Sequence, residues 1–103
     1  MKVDVTQGLT ALDGEPLENE DQEPIVLRTV AINALMGVME GDNSMTGEQK
    51  LKNWVLAQRL QKEDSPDLTP EELASIKERI GKAFGPAVVG PSFVILNGSP
   101  AEG

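Results

Sequence analysis

Hydrophobic side chains recur at helical spacing in three stretches of the chain, and each stretch predicts one helix. The first runs from about 28 to 40, where apolar residues occupy nearly every face, as is usual for a central, buried helix. The second covers about 47–62 and the third about 70–84, and polar residues separate their apolar positions. Gly41 stands where a glycine cap is expected to close the first helix.

Local signals fix where two of these helices begin. Thr46 is followed three residues later by Gln49, which predicts a capping box at the second helix. Thr69 precedes Pro70 and two glutamates, and proline is favoured at the first helical position because its missing N–H would have no partner there. We therefore expect sharp helix starts at 47 and 70.

The last apolar segment, 86–97, is ambiguous between helix and strand. Val89, Phe93 and Leu96 are spaced as on one face of a helix. Pro91 and the apolar run 93–96 favour a broken helix or a strand. We predict a short or kinked helix, followed by a frayed tail over 98–103.

The N-terminal residues 1–27 have a different pattern. Residues 2–6 alternate apolar and polar, as in a strand, and Asp13-Gly14 between short apolar pairs suits a tight turn. The predicted fold class is mainly α: a compact bundle of three or four short helices with a small N-terminal β-hairpin or strand element. The 103 residues are expected to form a single domain, with 28–97 as its helical body. Its core is predicted to contain Ile32, Leu35, Trp54, Ile76, Ile80 and Phe84.

Composition removes most catalytic chemistry. The chain has no His and no Cys, which excludes thiolate nucleophiles, His-assisted catalysis and zinc sites with those ligands. The segment 42–53 has calcium-loop spacing at its start, but Asn53 stands where the bidentate Glu belongs. We predict that the protein is not an enzyme and binds no cofactor or metal.

Charge is concentrated in one place. The net charge is −8, and residues 1–27 hold seven of the seventeen acidic residues against Lys2 alone. Three interpretations stay open: a solvated loop that keeps the domain soluble, an arm that docks on a basic partner, or an imitation of nucleic acid. Direct nucleic-acid binding is not expected, because phosphate contacts need clustered Lys and Arg. The candidate partner-binding residues are Asp13, Glu15, Glu18, Glu20, Asp21 and Glu23.

The cellular setting is expected to be a bacterial host cytoplasm. No window approaches 18 apolar residues, so no membrane contact is predicted, and Met1–Val5 has no signal-peptide pattern. A homo-oligomer is natural if an apolar face of the first or fourth helix stays exposed.

Several short motifs follow one another in order along nearly the whole chain. They are Leu12-Asp13-Gly14-x-Pro16-Leu17, Leu27-Arg28-x-Val30-x-Ile32-Asn33-Ala34-Leu35, Gly47-Glu48-x-Lys50, Leu56-Ala57, Leu68-Thr69-x-Glu71-Glu72, Ile76-Lys77-x-Arg79-Ile80-Gly81-Lys82 and Val88-Val89-Gly90. In this order they resemble small acidic proteins of tailed bacteriophages and prophages. The resemblance implies an origin rather than an activity and carries over no functional residue, and Pro91 departs from a continuing helix.

The expected function is that of a non-enzymatic phage or prophage accessory protein acting through protein–protein contact, in virion or tail assembly. The partner would be a phage structural protein or a host protein. The alternative is an acidic regulator that binds and inhibits a host nucleic-acid-processing protein. A small enzyme or metal-binding protein is the minor alternative.

Overall fold

The computed structural model describes residues 1–39 and 41–98. Within them the chain forms four α-helices: α1 (Leu27–Met36), α2 (Gly47–Lys62), α3 (Pro70–Ala83) and α4 (Pro86–Leu96). A single 3-10 turn, Asp42–Ser44, lies between α1 and α2. The mainly helical prediction is confirmed, and the ambiguous last segment is a helix that contains Pro91. Of the predicted frayed tail, Gly98 belongs to a turn after α4, and residues 99–103 lie outside the described residues.

Helix α1 is the central element, and it packs against α2, α3 and α4. Its buried residues are Leu27, Val30, Ala31, Ala34 and Leu35. The small Ala31 and Ala34 let neighbouring helices approach closely, while the larger side chains fill the space between them. Ile32, predicted in the core, is only partly buried because it lies on the remaining face of α1.

The capping box predicted at α2 is present, and the predicted N-cap Thr69 of α3 forms one as well. The Thr46 hydroxyl accepts the Gln49 N–H at 3.1 Å, and the Gln49 side chain accepts the Thr46 N–H at 2.9 Å. Thr69 and Glu72 repeat the arrangement at α3 with the same distances, 3.1 and 2.9 Å. These bonds satisfy N–H groups that a helix start leaves without partners.

The first helix ends earlier than the sequence predicts. Gly37, not Gly41, follows its last residue, and Gly37 has an extended backbone. A Cβ at Gly37 would stand 2.9 Å from the Asn33 carbonyl oxygen, so a larger residue at this position would force the end of α1 to shift. Gly41 lies further on, in a left-handed conformation before the 3-10 turn. The predicted cap at Gly41 is wrong because the end of α1 is set by contacts with α3, described below.

The predicted N-terminal β-hairpin is not supported, because residues 1–39 and 41–98 contain no strand. Three extended pieces instead close a ring of backbone hydrogen bonds: Leu9 N–H to the Ile25 oxygen, Ile25 N–H to the Leu17 oxygen, and Leu17 N–H to the Leu9 oxygen, all 2.8–2.9 Å. Each piece changes partner after one bridge, so no ladder of paired residues develops. We call residues 8–26 the N-terminal ring.

Residues at the start of the chain are part of the core rather than a detached arm. Val3, Val5 and Leu9 are buried together with residues of all four helices. The N–H groups of Val3 and Val5 donate to the Pro66 and Asp64 oxygens at 3.1 and 2.9 Å, which fixes the segment along the α2–α3 loop.

The predicted core is correct for three of its six residues. Leu35, Ile76 and Ile80 are fully buried. Phe84 and Ile32 pack against the core but are only partly buried. Trp54 is 46% exposed, so its placement in the core is wrong: the face of α2 that packs inward is formed by Leu56, Ala57 and Leu60.

Candidate functional site

A groove of about 720 Å³ lies at the C-terminal end of α1. We call it the Trp54 groove. Its volume is in the range of ordinary ligand pockets. Its apolar lining consists of Leu35, Met36, Val38, Met39, Met45 and Trp54.

The apolar side chains around this groove are unusually exposed. Val38 is 94% exposed, Met36 49% and Trp54 46%. Leu51 and Val55, one turn before and one residue after Trp54 on α2, are exposed as well. Isolated exposed apolar residues are ordinary, but a contiguous set next to a concave surface is typical of an interaction site.

Helix α2 exposes these residues because it carries more apolar positions than one buried face can use. Leu56, Ala57 and Leu60 face the core, whereas Leu51, Trp54 and Val55 share the spacing i, i+3, i+4 on another face. This second apolar face indicates an exposed apolar surface from the sequence alone. The prediction that Trp54 lies in the core overlooked that indication.

The floor of the groove is fixed by Arg79 of α3. Its Nε donates to the Ala34 oxygen at 3.0 Å and its Nη2 to the Gly37 oxygen at 2.6 Å. These carbonyls belong to the C-terminal end of α1, which has no intrahelical donors for them and carries partial negative charge. One buried arginine therefore ends α1 and ties it to α3.

The same guanidinium holds Asp42 of the 3-10 turn in a bidentate ion pair. Nη1 lies 2.6 Å from Oδ1 and Nη2 lies 3.1 Å from Oδ2, and only 6% of the Arg79 side chain and 13% of the Asp42 side chain are exposed. The Asp42 carboxylate also accepts the Met39 N–H at 2.7 Å. The Arg79 and Met39 hydrogen bonds lower the pKa of Asp42 below its ordinary value. Asp42 is therefore ionised at neutral pH, as its ion pair with Arg79 requires.

A second, more polar depression of about 460 Å³ continues from the Trp54 groove. The two share Gly41, Asp42, Met45, Asn53 and Arg79. Among the described residues that line them, the cations are Lys50, Lys52, Arg79 and Lys82, and the carboxylates are Asp42 and Glu78. Arg79 is paired with Asp42, and Lys82 lies 3.3 Å from the Glu78 carboxylate, so the excess positive charge of this surface is that of Lys50 and Lys52. We call the surface around Lys50, Lys52 and Lys82 the basic half of the site.

The six predicted partner-binding acids lie elsewhere, on the N-terminal ring. All of them are exposed, and none lines the Trp54 groove. Their backbone is held in place: Asp13 Oδ1 accepts the Glu15 N–H at 3.0 Å, and Asn19 Oδ1 accepts the Asp21 and Glu23 N–H groups at 2.9 and 3.0 Å. The acids therefore project from an ordered scaffold, yet across the described chain no three of them come close enough to hold a metal ion.

Another apolar groove, of about 740 Å³, lies between the N-terminal ring and α4. Leu17 and Ile95 are among its lining residues, and none of the residues described there is charged. It has the apolar character of the Trp54 groove without the charge that would select a partner.

Comparison of the chain with protein-family models, curated proteins and solved structures gave no match. None of the helices in the described ranges has both the length and the apolar character needed to cross a membrane.

Proposed function

We propose that this chain is a non-enzymatic binding protein that holds an apolar, acid-flanked segment of a protein partner in the Trp54 groove. The observation that carries the proposal is that an apolar groove continues into a positively charged surface, with the Arg79–Asp42 ion pair lining both.

The residues of the groove suit a protein ligand. Tryptophan is among the residues that most often dominate binding energy at protein interfaces. Met36, Met39 and Met45 supply flexible, polarisable contacts that adapt to an irregular apolar side chain. Lys50 and Lys52 stand at the edge of the apolar region, where exposed charge selects the sign of the partner and accelerates its approach.

The biological process is proposed from the resemblance to small acidic phage proteins. A phage or prophage accessory protein in the host cytoplasm would use such a groove to hold a segment of a virion or tail component during assembly. This places no requirement for catalysis on the chain.

The test is a peptide-display selection on the intact protein, on Trp54→Glu and on Val94→Glu. We expect the intact protein and Val94→Glu to enrich the same peptides, with leucine or an aromatic residue next to Asp or Glu. Trp54→Glu should enrich none of them. Val94 is the matched control, since it is 45% exposed, like Trp54, but lies on α4. Enrichment that does not depend on Trp54, or that favours basic peptides, would contradict the proposal.

The acidic regulator is a second candidate function, and the ordering of the N-terminal ring favours it. A surface that imitates phosphates needs carboxylates at fixed spacing. Deleting the ring is not a usable test, because Leu9 is part of the core. Replacing the six acids by their amides should instead abolish inhibition of a host polymerase or nuclease, whereas Trp54→Glu should leave it intact.

A further inference from the structure

We infer that the segment held by the Trp54 groove is the turn 11–15 of a second copy of this chain, with Leu12 as the apolar anchor. The inference rests on the proposed function and names its partner.

Leu12 is the most exposed large apolar residue in the described chain, at 107% of its reference surface. It lies at the tip of a closed turn: the Gly14 N–H donates to the Ala11 oxygen at 2.9 Å and the Ala11 N–H to the Glu15 oxygen at 2.8 Å. Gly14 takes the left-handed conformation, φ +86°, that this turn requires. A side chain presented on a preorganised turn loses little conformational freedom when it binds.

The charges beside Leu12 match those beside the groove. Asp13 and Glu15 flank the turn, and four more exposed acids follow along the N-terminal ring. The basic half of the site offers Lys50 and Lys52 next to the apolar lining, whereas Lys82 is paired with Glu78. With Leu12 among Met36, Met45 and Trp54, the carboxylates of the turn would lie toward those lysines.

The two surfaces lie at opposite ends of α1, so one chain cannot bring them together. The N-terminal ring adjoins the start of the helix, where Val26 bridges to Gly8, and the Trp54 groove begins at Leu35. A helix of ten residues separates them by about 15 Å. The contact must therefore join two copies head to tail. Such a contact uses different surfaces on each copy and continues from copy to copy until a ring closes or a filament forms.

Sedimentation of two single variants and of their mixture tests this geometry. Leu12→Glu removes the anchor and keeps the groove, whereas Trp54→Glu removes the groove and keeps the anchor. We expect the wild-type chain to associate beyond the dimer as its concentration approaches about 1 mM, and each variant alone to remain monomeric. An equimolar mixture should form a complex of two chains and no larger species, because each such complex retains one inactive turn and one inactive groove.

Matched variants keep the result interpretable. Ala74→Glu should associate like the wild type, since Ala74 is exposed on α3 and lines neither the Trp54 groove nor the groove beside Leu12. Lys50→Glu is the second groove variant if Trp54→Glu fails to fold, because Lys50 is an exposed residue at the groove edge. Association should weaken in about 0.5 M salt, which screens contacts between exposed charges.

Two results would overturn the inference. One is a wild-type chain that stays monomeric at about 1 mM. The other is association that Trp54→Glu abolishes and Leu12→Glu leaves intact, with no complex between the two variants in the mixture, which would indicate a symmetric contact between two α2 faces. In either case peptides selected through Trp54 would still support the proposed function, and their absence as well would contradict both proposals.

Discussion

The two ends of α1 are held in place by different means. At the C-terminal end, Arg79 binds two backbone carbonyls and Asp42, and all of this charge is nearly buried. At the N-terminal end, Leu9, Leu17 and Ile25 close a ring through backbone hydrogen bonds, and every carboxylate of the ring points to solvent. At the C-terminal end of α1 the charged groups stabilise the fold, whereas at the N-terminal end they are exposed to solvent.

This difference separates residues that hold the fold from residues available for binding. At the groove end, the exposed groups are apolar side chains and lysines, because the arginine and the aspartate neutralise each other. At the ring end, they are Leu12 and acids. Each end therefore presents apolar residues beside charge of one sign, and the signs are opposite, which is the physical basis of the proposed head-to-tail contact.

Breaking the buried ion pair should have the largest effect. Arg79→Met leaves Asp42 and the two carbonyls of α1 without their donor, and removing one partner of a buried pair costs roughly 3–5 kcal/mol. Urea unfolding measures the loss. Arg28→Met is the matched control: Arg28 donates to the Leu60 and Glu63 oxygens and pairs with Asp64, but that carboxylate is mostly exposed. This substitution should lower the free energy of unfolding by less, about 1–3 kcal/mol. Equal losses of stability for the two arginines would contradict the proposed difference between a buried and an exposed ion pair.

At the opposite end of α1, a packing change should have the next largest effect. Leu9 is 1% exposed, and both its N–H and its carbonyl belong to the ring. Leu9→Ala should lower the free energy of unfolding by roughly 2–5 kcal/mol, because it leaves a cavity beneath the ring. Leu12→Ala, at the exposed tip, should change it by less than about 0.5 kcal/mol. A Leu9→Ala variant with the same free energy of unfolding as the wild type would mean that the ring is not anchored by the core.

Acid should weaken the groove end through Asp42. Because the folded state lowers the pKa of Asp42, the carboxylate contributes stability above its unfolded pKa, near 3.8, and that contribution disappears as the pH falls through the lower folded value. Asp42→Asn should therefore be less stable than wild type at neutral pH, and the gap should narrow below about pH 4. Urea unfolding of both proteins from about pH 7 to pH 2.5 checks this. A gap that stays constant with pH would show that the ionised carboxylate is not what stabilises this end.

The smallest effect on folding is expected for the acids of the ring. Glu15→Gln should change the free energy of unfolding by less than about 0.5 kcal/mol, because exposed charges contribute little. The same substitution should weaken self-association measurably by sedimentation. A large loss of stability would place Glu15 among the structural residues and break the division between the two ends.

Local signals in the sequence were sufficient to predict where α2 and α3 begin. Thr46 with Gln49 and Thr69 with Glu72 are three residues apart, so their capping bonds depend only on the chain nearby. The last segment was correctly predicted as a helix from its apolar spacing. Pro91 does not prevent the helix, because it removes only a single backbone donor.

The site could not be predicted because its contacts are distant in the sequence. Arg79 and the Gly37 carbonyl are 42 residues apart, and no local pattern distinguishes a buried arginine on α3 from an exposed one. The ring of Leu9, Leu17 and Ile25 depends on three pieces meeting at once, whereas the Asp13-Gly14 turn alone suggested a hairpin. The acids were identified as candidates because many of them occur in one short segment. That they lie at the other end of α1 from the groove could be seen only in the folded structure.

The most direct test uses Trp54, the single tryptophan of the chain, as a reporter inside the groove. The Trp54→Glu chain contains no tryptophan and keeps an intact turn, so it can be titrated into the Leu12→Glu chain while only the groove fluoresces. The account predicts a saturable blue shift of the Trp54 emission, which weakens with added salt and disappears when the titrant also carries Leu12→Glu. Emission that stays unchanged up to about 1 mM of the Trp54→Glu chain would contradict it.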